Sequence, residues 1–68
     1  MTEQEIIDII NKSVGSKVRI TFDDGVVECL EIGCSFDGEG FLCSGPEGGD
    51  PQAYWVRLES VTHIENTA

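Results

Sequence analysis

Apolar residues recur at helical spacing at the start of the chain. Ile6, Ile9, Ile10 and Val14 fall on one face of a helix predicted over residues 2–14. Thr2 followed three positions on by Glu5 has the form of a capping box, a hydroxyl for an early N–H and a carboxylate reaching back. Glu3, Glu5 and Asp8 lie toward the positive end of the helix dipole and Lys12 toward the negative end. Gly15 supplies a left-handed stop.

From Lys17 the period becomes two. Val18, Ile20 and Phe22 alternate with Lys17, Arg19 and Thr21, which predicts a strand over 17–22. Asp23-Asp24-Gly25 is a turn signal. A second strand is predicted over 26–36, with Leu30, Ile32, Cys34 and Phe36 facing one way and Gly33 marking a bulge or bend. The Asp37-Gly38-Glu39-Gly40 turn leads into a third strand over 41–44, a hairpin that would set Phe36 opposite Phe41 and Cys34 opposite Cys43. Gly45 to Pro51 reads as a loop, followed by a fourth strand over 53–58. Leu58, Val61 and Ile64 then recur at intervals of three, which suits one tight turn into a fifth strand over 62–65. Asn66 to Ala68 are expected to fray.

One helix and five short, strongly bent antiparallel strands give a mainly β expectation, a small barrel forming a single domain over 1–68, of the Src-homology-3-like kind that the resemblance below implies. So little sheet does not make a sandwich, and closure would remove most of the exposed edge.

Length and charge narrow the function. A chain of 68 residues buries only about 60% of the surface that it exposes unfolded. It is therefore expected to need a disulfide, a metal or oligomerisation as a staple. Thirteen acidic residues against four basic ones give a net charge of −9. Ordinary nucleic-acid binders carry a basic stripe, whereas the only candidates here are Lys12, Lys17, Arg19 and Arg57. An isolated protomer is expected to bind phosphate weakly. No stretch approaches the ~20 apolar residues of a transmembrane helix, and the acidic start lacks the basic residues of a secretory signal. The expected location is cytoplasmic, away from membranes. Three cysteines then read as reduced thiols.

Nothing in the chain calls for catalysis, a metal or a cofactor. Cys29, Cys34, Cys43 and His63 are too widely spaced for the close ligand pairs of a structural zinc site. Cys29 and Cys34 differ by an odd number and fall on opposite faces of a regular strand, while Cys34 and Cys43 read as small buried hydrophobes. A cysteine–histidine dyad needs an accessible low-pKa thiolate, and the acidic surface works against one. Asp23-Asp24 and Asp37 with Glu39 read as turn chemistry, and neither an EF-hand series nor a phosphate-cradling glycine loop is present. Tyr54 and Trp55 adjoin, so they face opposite sides; the outward one is either a lid on the barrel mouth or a contact residue.

The run Val56-Arg57-Leu58-Glu59-Ser60-Val61-Thr62-His63-Ile64 resembles the second signature of the Sm and Sm-like proteins. Gly15, Lys17-Val18, Ile20, Phe22 and Gly25 follow the opening of the first signature, and Asp37 falls near its acidic position. The resemblance spans nearly the whole chain. Two positions depart from it: the asparagine after the acidic residue is absent, and Leu58 stands where the family has the glycine after arginine. The family fold is therefore better matched than its base-binding pocket.

The resemblance implies a non-enzymatic homo-oligomeric ring of about five to seven chains with a role in RNA metabolism. In it, strand four of one protomer pairs with strand five of the next, which places Tyr54, Trp55, Val56, Val61 and Ile64 at the interface. RNA would meet Arg57, Lys17, Arg19 and Asp37, with Trp55 or Tyr54 stacking on a base. The alternative is an acidic monomeric Src-homology-3-like adaptor that binds a basic protein partner.

Overall fold

The computed structural model describes residues 1–45 and 53–67. Helix α1 spans Glu3–Lys12; it is followed by β1 (Lys17–Phe22), β2 (Val27–Ile32), β3 (Gly40–Ser44), β4 (Ala53–Arg57) and β5 (Val61–Asn66). A 3-10 turn, Leu58–Ser60, joins the last two strands. The segment 46–52, which holds most of the expected loop, lies outside the described residues.

The capping box forms. The Thr2 hydroxyl accepts the Glu5 N–H at 3.2 Å, and the Glu5 carboxylate accepts the Thr2 N–H at 2.9 Å. The helix buries Ile6 and Ile10 and packs Ile9 against the core. It ends earlier than the periodicity suggests, because the Ser13 N–H turns back to the Ile10 carbonyl at 3.1 Å. Val14 instead bridges in parallel to Ile32, and its side chain is largely exposed. Gly15, at φ +84°, donates its N–H to the Ile32 carbonyl at 2.7 Å. The buried Ser13 hydroxyl accepts the Asn66 side-chain amide at 2.9 Å, which ties the helix end to the last strand.

The strands form one antiparallel sheet in the order β4-β3-β2-β1-β5. β1 shows the alternation that the sequence predicts: Val18 and Ile20 are fully buried, while Lys17 and Arg19 point out. Leu30, Ile32, Phe41, Cys43, Val56, Val61 and Ile64 complete the core with the helix.

Three expectations need correction. The sheet is not closed into a barrel: β4 and β5 are its two edges, and the 3-10 turn is a covalent corner between them. The second strand stops at Ile32 rather than Phe36. Gly33 makes one more bond, to the Leu42 carbonyl at 2.8 Å, after which Asn11 draws the chain away by accepting the Phe36 N–H at 3.0 Å. The register is consequently Ile32 with Cys43, so Cys34 is exposed, and the ladder pairs neither Cys34 with Cys43 nor Phe36 with Phe41. Finally, the fifth strand runs through Asn66, and the Thr67 N–H is bonded to the Lys17 carbonyl at 3.2 Å, so neither residue frays.

Gly40 is where the backbone comes closest to a neighbour. A Cβ there would overlap the Val56 carbonyl oxygen and lie 3.1 Å from Trp55 Cε2. At Gly33 the nearest atom to such a Cβ would be an ordinary 3.5 Å away. Gly40→Ala should therefore lose about 1–3 kcal/mol by urea denaturation, as overpacked sites do, with Gly33→Ala as the milder comparison. Equal effects would show that β4 yields to accommodate the methyl group.

Candidate functional site

Strand alternation decides which side chains share a face. On β2, Glu28 is in phase with the buried Leu30 and Ile32, yet it is exposed at the rim. Tyr54 pairs with the buried Cys43 and Val56 with the buried Phe41, so both belong to the concave side of β4. Phe22 continues the inward phase of Val18 and Ile20 and is half-buried. These residues meet at the open end of the curled sheet. A cleft of about 410 Å³ lies between β4 and the β1–β2 turn, lined among others by Phe22, Asp23, Asp24, Glu28, Tyr54 and Arg57.

Trp55 belongs to the opposite, convex face, where it pairs with Leu42 and its ring approaches Gly40. Tyr54 and Trp55 are 41% and 48% exposed. Both aromatics thus present surface, because β4 is an edge strand and Tyr54 sits at the cleft rim.

The two edges present backbone. The Leu58 N–H donates to the Glu39 carbonyl at 3.1 Å, and by alternation Val56 and Tyr54 also bond toward β3 while Trp55 and Arg57 direct their N–H groups outward. On β5 the Thr67 bond to Lys17 sets the same rule, so the N–H groups of Ile64 and Asn66 face away from β1. The Met1 thioether accepts the Ile64 N–H at 3.5 Å. Val56, Val61 and Ile64, expected at an interface, are at most 7% exposed; their side chains are committed to the protomer's own core.

The proposed RNA-facing residues do not gather into one surface. Arg19 extends from β1 to the Glu65 carboxylate at 2.9 Å, and the Cys29 thiol opposite it, together with Glu65, raises its pKa. Lys17 lies on the exposed side of the same strand. Arg57 is on β4, 3.2 Å from Glu59 and 3.9 Å from Glu39. It stands near the turn that holds Asp37, but the Asp37 carboxylate is engaged by its own turn, accepting the Gly40 N–H at 3.1 Å and the Glu39 N–H at 3.0 Å. Those two bonds, the one from Gly40 first, lower its pKa. Both arginines therefore face carboxylates of their own protomer.

Of the candidate metal and redox groups, Cys29 and Cys34 are exposed and Cys43 is buried. Among the described residues no three His, Cys, Asp or Glu side chains come together to hold a metal ion. No helix among them is long and apolar enough to cross a membrane. Sequence reasoning missed Glu28. Its signal was available, a carboxylate at an inward-phase position of a strand.

Burial, with a smaller contribution from Cys34, pushes the Cys43 thiol up from 9.0 to about 12. An acid whose pKa is raised on folding stabilises the fold fully only below its unfolded value, so the contribution is lost between pH 9 and about 12. Iodoacetamide should modify Cys29 and Cys34 in the native protein and reach Cys43 only on unfolding, read by intact mass. Three rapid adducts without denaturant would show that the core opens readily. Stability should also fall over that alkaline range, less steeply in Cys43→Val.

No protein-family model matches the chain, and no match was found among curated proteins or among solved structures.

Proposed function

We propose that this chain is a non-enzymatic, Sm-like assembly protomer that forms a closed homo-oligomeric ring, with β4 of one copy pairing with β5 of the next. One observation supports the reading: among the described residues a single antiparallel sheet ends in two edge strands, β4 of five residues and β5 of six. Unpaired edges invite strand addition. Because the two edges differ, their pairing is head-to-tail and either closes into a ring or runs on as a filament. Ring closure also supplies the staple that a 68-residue core lacks. On β5 the incoming strand must displace the Met1 thioether, a weak acceptor.

Assembly concentrates charge. At −9 per chain, about five to seven copies carry roughly −45 to −63, which salt screens over about 10 Å at 0.1 M. The role in RNA metabolism has less support in the geometry, since Arg19 and Arg57 already face Glu65, Glu59 and Glu39. Any RNA contact should be weak and centred on Arg57, which lies beside the Asp37 turn.

Light scattering after size exclusion should give a mass of about five to seven chains, with assembly tightening as salt rises. Arg57 has φ −86°, close to the value that proline imposes, and its N–H faces outward. Arg57→Pro should therefore yield monomers with the fold retained, whereas Arg57→Ala, which keeps the N–H, should still assemble. A wild-type monomer at high salt and high concentration would sink the ring.

A further inference from the structure

We propose that the cleft between β4 and the β1–β2 turn is a docking site for a cationic side chain, the lysine or arginine of a basic protein partner. The site is built within one protomer and does not depend on ring formation. Phe22 and Tyr54 line it together with the acidic residues Asp23, Asp24 and Glu28. A cation held against aromatic faces and flanked by carboxylates gains from both the ring quadrupole and charge-assisted hydrogen bonds.

The protomer's own cations leave these acids unanswered. Among the described residues no ion pair reaches Asp23, Asp24 or Glu28. Arg57, the one cation lining the cleft, pairs instead with Glu59 and Glu39. The Asp24 carboxylate accepts the Val26 N–H at 3.0 Å, which uses one acceptor for the turn and leaves the charge in place. Glu28 is the most telling member. It holds an inward-phase position beside Leu30, where the strand pattern otherwise places apolar residues. A net charge of −9 steers basic partners toward the protein. The cleft then decides where the cation is held. A volume of about 410 Å³ admits one long side chain with its aliphatic stem against Phe22 and Leu30.

The test is titration of the full chain with a short arginine- and lysine-bearing peptide at physiological salt. Emission from Trp55, the sole tryptophan, reports on β4. Light scattering on the same samples follows assembly separately. Glu28→Gln and Glu31→Gln remove the same charge from the same strand, one inside the cleft and one on the opposite face. Glu28→Gln and Tyr54→Ala should each weaken binding about tenfold or more, as expected for a charge-assisted contact and a cation–π contact, while Glu31→Gln changes it less than about twofold. Equal losses in Glu28→Gln and Glu31→Gln would reduce the effect to diffuse attraction and overturn the site. Absence of peptide binding, or single-stranded RNA occupying the cleft in competition with the peptide, would overturn it too. A monomeric wild type that still binds the peptide selectively would sink the ring and leave this site standing.

Discussion

The structure depends on a short covalent corner. Leu58–Ser60 joins β4 to β5, and these are the opposite edges of one five-stranded sheet. Four interstrand spacings put the edges of a flat sheet about 19 Å apart. The rise from Arg57 to Val61 through a 3-10 turn is only about 8 Å. The sheet must curl until its ends approach at that corner, and the Ser60 carbonyl takes the Asp23 N–H there at 2.9 Å. Away from the corner the ends part. Curvature, the cleft and the parting of the two edge strands share this one cause.

That geometry places the chain's charge in context. The two arginines lie against carboxylates, so the acidic excess faces solvent without compensation, and part of it rims the opening. Self-association has to work against this charge, whereas a basic partner would relieve it. Both proposals use the same incomplete closure, one through backbone at the edges and the other through side chains in the gap. The interface candidates Val56, Val61 and Ile64 show how the burden divides: their side chains hold the protomer together while their backbone sits on the edges.

Elements governed by local rules were legible in the sequence. The capping box, the alternation of β1 and the Asp23-Asp24-Gly25 turn depend on neighbours within a few residues, and each formed where the pattern placed it. What escaped depended on distant partners. Nothing local tells that Asn11 takes the Phe36 N–H and that the second strand ends at Ile32, which sends Cys34 to the surface. Closure of the sheet was likewise a matter of which edges meet, which alternation within a strand does not encode. The cleft was half legible: Tyr54 was singled out as an aromatic near an opening, but Glu28 gains meaning only once β4 faces it.

The seam between the halves of the sheet adds a mechanical consequence. β1 is laddered to β2 and to β5 over five register pairs each, and β3 to β4 over five. Among the described residues β2 and β3 share Glu31 with Ser44 and Ile32 with Cys43, extended by the Gly33 bond. The β3–β4 hairpin is therefore a flap on a narrow strap, anchored at its far end by the Leu58–Ser60 corner. The softest distortion of such a body is a swing of the flap about that strap, since it disturbs the fewest ladder bonds. Because Tyr54 rides on the flap and Glu28 on the fixed half, such a swing changes the width of the opening between them.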